Sequence, residues 1–384
     1  MRKYLSIVFI LLVALNACHK ETPITEVSLM PGDKYAPTPY TIHVPAYFPT
    51  QMNIPADNPI TVEGVYLGRC LFYDGRFGGR TDADSLMSCS SCHVQESAFV
   101  CGLANPSFPG GMPHGITGIP TPHAMMTLCN VVFNSNGYLW NGLIDPLNPN
   151  PKKRRLEDLV WMGIYAPHEM HSDSNKSLQV IRSIPGYKPL FKAAFGSDTI
   201  TFELMAKAIS QFIRTLVSSD SKFDRYLQGS ATLTSSELNG YVLFVTEQGA
   251  DCFHCHGGSG NPLFTTNLYY NNAKDSAFSD TRDRYAVTGN AMDIGAYRAP
   301  SLRNVELLAP YMHDGRFTTL EQVIDFYSNG LVWSPSVSPL MHKLSDGGAQ
   351  LTPAEKADLK AFLLTLTDQT FLTNPAFGPP PSLP

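Results

Sequence analysis

The sequence predicts a mainly α chain of two helical domains with long ordered loops, and three observations predict it. A Cys-x-x-Cys-His pentapeptide occurs twice, at Cys89, Cys92 and His93 and again at Cys252, Cys255 and His256, one copy in each half of the 384 residues. Helix signals of the capping-box and apolar-stripe kind surround the second copy. No convincing run of alternating strand residues interrupts them. Thirty prolines and 29 glycines among few charged residues fit loops ordered around a cofactor rather than a disordered polymer.

In chain order, residues 1–18 carry a basic start (Arg2, Lys3), an apolar run from Leu5 to Leu15 too short to span a bilayer comfortably, and Leu15-Asn16-Ala17-Cys18. That pattern reads as a lipoprotein signal peptide with Cys18 as the lipidated residue, which predicts export to the periplasm and a membrane anchor. Residues 19–54 read as a tether. An N-terminal domain is expected over 55–230 and a C-terminal one over 231–370, with a boundary near Gly229 to Leu233 and a proline-rich tail over 371–384. Net charge is −5 with no basic tract, which argues against a nucleic-acid partner.

The apolar positions Phe202, Met205, Ile209, Phe212, Ile213 and Leu216 form one helical stripe over 201–217. Thr234 with Glu237 is a capping box, opening a helix that runs to about Glu247, stops at Gly249 and delivers the chain into Cys252. Thr318 with Glu321 predicts a second such start, with its stop at Asn329 and Gly330. Thr352 with Glu355, and Pro353 at the first helical position, predicts a third that ends near Leu366.

The pentapeptides carry the chemistry. Two thiols at this spacing add to the two vinyl groups of a haem, and the adjacent histidine becomes the proximal iron ligand. From eight cysteines and 11 histidines, about 0.005 chance matches are expected, so two are a strong signal for two covalently bound haem c groups. Zinc would need a second ligand pair beside each motif. His254 and His256 could serve at the second, and nothing comparable flanks the first. Cys70, Cys101 and Cys129 remain, of which Cys101 and Cys129 are the expected pair if any disulfide forms.

Further stretches resemble the bacterial dihaem cytochrome c peroxidase and MauG superfamily: LGRCLFYD at Leu67–Asp74, YLWNG at Tyr138–Gly142, APHEM at Ala166–Met170 and FDRYL at Phe223–Leu227. YAVTG at Tyr285–Gly289, RAPSLRNV at Arg298–Val305 and APYMHDGRF at Ala309–Phe317 complete the set. The resemblance covers roughly residues 55 to 368, in order. It implies two cytochrome c-like haem domains facing each other, hydrogen peroxide reacting at the N-terminal haem, and electrons relayed from the C-terminal haem. Trp140 matches the tryptophan between the haems. Glu169 matches the distal carboxylate that moves a proton during O–O cleavage, while Leu159 stands where the family places a companion glutamine.

Counting from His313, the resemblance puts Tyr327 at the distal position of the C-terminal haem, where MauG has tyrosine and the peroxidases methionine. Phenolate ligation lowers a haem potential and methionine raises it. Met312 and Met341 are the alternatives. His114, in a glycine-rich loop, is the candidate for a displaceable ligand of the His93 iron, with His123 next. Calcium, held in the family by carbonyls near Leu308 and Pro310 and by an asparagine, is left open because Ala124 occupies the asparagine position. The implied partners are peroxide and a small cytochrome c or copper-protein donor, or an unidentified oxidisable substrate. The rival expectation is a dihaem electron-transfer cytochrome without catalysis.

Overall fold

The computed structural model describes residues 35–258 and 260–384; the expected signal peptide with Cys18 and the start of the expected tether lie outside the described residues. Helices dominate, as the capping signals require. In order they are α1 (Val62–Tyr73), α2 (Leu156–Tyr165), α3 (Ser174–Ser183), α4 (Tyr187–Phe195), α5 (Phe202–Arg214) and α6 (Lys222–Leu227). Then come α7 (Ser235–Val245), α8 (Phe253–His256), α9 (Tyr285–Thr288), α10 (Leu320–Asn329), α11 (Pro353–Leu364) and α12 (Gln369–Thr373). Two two-residue strands, β1 (Tyr269–Tyr270) and β2 (Tyr297–Arg298), pair antiparallel, Tyr269 with Arg298 and Tyr270 with Tyr297.

The expected starts form for the expected reasons. Thr201 caps α5 by accepting from the Leu204 amide. Thr234 and Thr352 cap α7 and α11, each with its glutamate reaching back to the cap amide. The start of α10 differs from expectation by one residue: Thr319 is the cap and Gln322, not Glu321, closes the box. The Gln322 amide oxygen reaches both the Thr318 and Thr319 amides, whereas the Glu321 carboxylate pairs outward with Lys360.

Each half is built on one helix crossing that only glycine permits. A Cβ on Gly68 of α1 would stand 1.9 Å from the Ala208 carbonyl oxygen of α5, and one on Gly240 of α7 would stand 1.9 Å from that of Asp358 in α11. Around the first crossing Leu67, Phe72, Ile209 and Phe212 are buried, and around the second Phe223, Phe244, Phe264 and Phe362. Each such side chain contributes roughly 1.5–3 kcal/mol by leaving water. In each crossing the glycine-bearing helix, α1 or α7, precedes a Cys-x-x-Cys-His motif and its partner helix follows it.

Two polar devices join the halves. Arg303 grips Asp224 through two hydrogen bonds of 2.6 and 2.7 Å with both side chains buried, and Tyr47 donates to the same carboxylate at 2.9 Å. Asp368 accepts from the Ser218 hydroxyl and from the Ser219 and Asp220 amides. The proline-rich tail returns to the first half. Phe371 and Phe377 join its core, and Arg69 and Tyr73 of α1 donate to the Gly378 and Phe377 carbonyls at 2.7 Å each. The expected Cys101–Cys129 disulfide does not form. Cys70, Cys101 and Cys129 are separate buried thiols, and Cys129 takes the Asn304 amide instead, at 3.7 Å.

Candidate haem sites and the residue between them

The first attachment motif sits in a tight turn. Ser88 and Ser91 form a reciprocal cap around Cys89, and the His93 amide donates to the Cys89 carbonyl at 3.0 Å. Ala98 and Phe99 follow in the left-handed region, φ 52° and 60°, and the Phe99 carbonyl lies 2.7 Å from His93 Nδ1. At the second motif the turn residue Asp251 is left-handed too, φ 57°. His256 Nδ1 lies 3.1 Å from the Pro300 carbonyl. A carbonyl at Nδ1 fixes the N–H there and leaves Nε2 as the donor to a metal.

Each motif opens on its own cavity. Cys89, Cys92 and His93 line one of about 590 Å³, and Cys252, Cys255 and His256 line a narrower one of about 220 Å³. Burial pushes all four thiols up to about 12 and holds His256 down to about 4, so the donors stand as neutral thiols and a neutral imidazole. Two thiols, one imidazole with its second nitrogen occupied, and mainly apolar walls fit a covalently attached haem at both sites.

Trp140 lines both cavities. Its indole N–H donates to the Ala124 carbonyl at 2.8 Å, and its own carbonyl accepts from the Arg298 amide of β2 at 2.8 Å. Leu139, φ 69°, and Gly142, φ 70°, make the sharp turns that present it; a Cβ on Gly142 would meet the Tyr269 hydroxyl at 2.1 Å.

Glu169 lines the first cavity alone, on the loop after α2. Its amide donates to the Ala166 carbonyl at 3.0 Å and its carbonyl accepts from Ile116 at 2.9 Å, which ties the loop on both sides. Gly163 leaves room for the carboxyl, since a Cβ there would lie 2.9 Å from Oε2. The side chain is 43 % accessible, but what it faces is the cavity rather than open solvent. Burial pushes the carboxyl up to about 7. Leu159 of α2 lines the same cavity and offers the carboxyl no amide.

Tyr327, on α10, lines the second cavity with Met312 and Met341. Asn272 donates to its hydroxyl at 2.9 Å, and burial raises the phenol above its ordinary value. A phenolate there therefore needs a neighbouring cation, which a metal supplies. His114 is exposed, contacts the Gly115 carbonyl at 2.9 Å, and lines neither cavity. His123 lines the first cavity instead, with Nε2 2.6 Å from Asp280.

Sequence reasoning used His313 only to count from, yet it belongs to a polar cluster beside Trp140. His313 stacks on Tyr297 with centroids 3.5 Å apart, meets His123 edge-on at 5.4 Å, and lies 6.4 Å from the Trp140 ring. Tyr297 donates to Asp280 at 2.7 Å. Burial holds His313 down to about 3, so it is neutral. Its only sequence signal was its place inside APYMHDGRF.

Comparison with known proteins agrees with this geometry. Residues 62–232 match the di-haem cytochrome c peroxidase family. The methylamine utilization protein MauG of Methylorubrum extorquens is 30% identical over 320 residues, 83% of this chain and 82% of that one. Cytochrome c551 peroxidase of Nitrosomonas europaea is 32% identical over 278 residues, 71% of this chain and 75% of that one. A crystal structure of a MauG-like protein associated with microbial copper homeostasis superposes with a TM-score of 0.75 at 34% identity, covering 89% of this chain and 99% of that one. Two attachment motifs on two cavities and relatives aligned along most of their length lead to one conclusion: the chain belongs to the di-haem cytochrome c peroxidase family and is a peroxide-dependent oxidoreductase carrying two c-type haems.

Proposed function

We propose that peroxide is turned over in the first cavity with Glu169 as the proton-moving group, and that Trp140 connects this cavity electronically to the second. When bound, the haems supply the two electrons that reduce peroxide to water. A carboxyl lifted to about 7 exchanges protons readily near neutral pH, so it takes one from the inner peroxide oxygen and returns one to the departing oxygen. Loop contacts at its amide and carbonyl hold it in place, and Leu159 keeps the wall beside it apolar. Trp140 supports the relay because one indole borders both cavities and is polarised by its hydrogen bond to Ala124. The observation that carries the assignment is the Glu169 carboxyl, lifted to about 7 on the wall of the first cavity; the carboxylate bordering the second, Asp251, is turned to His254 and His342, and Tyr327 stands there with an oxygen to offer.

On this reading Tyr327 would offer its oxygen to the iron of the second haem, and His114 would have no part in holding the first. The Ala124 side chain brings no oxygen, so the side-chain calcium ligand that the resemblance implies is missing here. The leader and Cys18 support export and lipid anchoring outside the cytoplasm, where a small cytochrome c or copper protein donates electrons. The domain limits 55–230 and 231–370 belong to the same proposal.

The test mixes peroxide with holoprotein of wild type, Glu169→Gln and Tyr327→Met in a stopped-flow spectrometer. Glu169→Gln is expected to slow the first absorbance phase and Tyr327→Met to leave it unchanged. The reverse pattern would move peroxide to the second cavity.

A further inference from the structure

We propose that Glu247, His254 and His342 form a site for a divalent transition-metal ion, with copper(II) held most tightly, on the outer side of the second attachment motif. One ligand atom from each residue lies within 4.8 Å of the others, and His254 Nε2 is 3.6 Å from a Glu247 carboxylate oxygen. Bonds of ~2.0–2.2 Å to a central ion set ligand atoms about 3–4 Å apart, so small side-chain movements close the set. The two imidazoles stand 4.7 Å apart at 81°.

A single carboxylate orients both rings. Asp251, 5% exposed, places Oδ1 2.6 Å from His254 Nδ1 and Oδ2 3.3 Å from His342 Nδ1. Holding Nδ1 of each ring leaves each Nε2 as the ligand nitrogen, the arrangement by which carboxylates tune histidines that bind metals. The backbone is shaped to deliver this carboxylate. After α7 the Gly249 amide bonds to Thr246 and the Ala250 amide to Leu243, and Asp251 then takes a left-handed φ of 57°. That turn folds Glu247 back over His254.

Haem attachment does not account for these groups. Between Cys252 and Cys255 the motif leaves both residues free, so an imidazole at His254 has no role in it. His342 comes from a distant part of the chain and borders the second cavity. Glu247 and His342 are 59% and 42% exposed, which leaves open coordination positions for water. Two imidazoles with one carboxylate suit copper, zinc, nickel or iron, and copper(II) binds such donors most strongly.

The experiment titrates copper(II) into holoprotein carrying both haems, with metal counted after desalting and the copper signal followed by electron paramagnetic resonance. Wild type is expected to retain one copper per chain, with nitrogen hyperfine structure from two imidazoles and tighter binding than zinc. His342→Ala is expected to weaken binding by at least roughly 10–100-fold, and Asp251→Asn, which leaves every ligand in place, by about tenfold. Haem content, read from the visible spectrum, checks folding; His342 lies outside the motif, so its variant carries the test if His254→Gln disturbs attachment. Equal copper binding by wild type and His342→Ala, or none by wild type, would reduce the cluster to an ion-pair network and overturn the proposal. Neither result bears on the peroxide reaction.

Discussion

Replacing Glu169 by glutamine separates the carboxyl's proton chemistry from its shape. Burial lifts the carboxyl to about 7, so it is about half ionised at pH 7, about 1% at pH 5 and about 99% at pH 9. Taking a proton from peroxide needs the ionised form. The peroxide step should therefore quicken about tenfold per pH unit on rising towards pH 7 and level off above it. The sign follows from the raised value: an ordinary carboxylate would already be ionised at pH 5, and the rate would be flat from there upward. Glutamine has nearly the same size and exchanges no proton, so at pH 8 the variant should be slower by roughly 10²–10⁴-fold, with the rise near pH 7 gone. Haem content should not change, because neither attachment motif is touched. Stopped-flow absorbance between pH 5 and 9 measures both effects. Equal rates and identical pH profiles in wild type and variant would refute the role of Glu169.

Three further outcomes follow from other residues. Tyr327→Met should raise the potential of the His256 haem in a redox titration and introduce the absorption band of sulfur ligation; an unchanged potential would leave Tyr327 as a packed side chain hydrogen-bonded to Asn272. Trp140→Phe keeps an aromatic ring but loses the bond to Ala124, and should slow electron exchange between the haems after rapid reduction while peroxide binding stays near wild type. Arg303→Met leaves the buried Asp224 carboxylate without its cation, though still hydrogen-bonded by Tyr47 and Ser221, and should cost about 3 kcal/mol in denaturant unfolding, whereas Asp57→Asn, at an exposed pair, should cost under about 1 kcal/mol.

What the sequence revealed was local. The two pentapeptides needed no tertiary context, and α7 and α11 announced themselves because a threonine cap and its glutamate lie within one turn. The α5 stripe was visible because its large apolar residues keep to one side, even though the helix also buries Ser210, Gln211 and Arg214. By contrast α1 buries Gly64, Leu67, Gly68, Arg69, Cys70, Leu71 and Phe72, so its buried residues wrap most of its surface and leave no stripe. The tail reads as an extended proline-rich end because its partners, Arg69 and Tyr73, lie some 300 residues away in the chain. The Thr318 start was misplaced by one residue because two threonines and two candidate reaching side chains stand side by side. Trp140 and Glu169 were singled out through resemblance, and the structure sets Trp140 on the walls of both cavities and Glu169 on the wall of the first. The cluster of His123, Asp280, Tyr297 and His313 was not legible, since its members come from three loops and from β2, which only the fold brings together. His114 was the opposite case: glycine-rich surroundings suggested a mobile ligand, yet the loop turns that ring outward.

The central claim is that two haems act together on peroxide, and electron paramagnetic resonance of the resting ferric holoprotein, before and after peroxide, tests it most directly. The account predicts two distinct ferric haem signals, together integrating to two irons per chain, and loss of intensity from both on adding peroxide, because each site gives up one electron. Two six-coordinate signals that peroxide leaves untouched, or one haem signal alone, would contradict it and leave an electron-transfer cytochrome in its place.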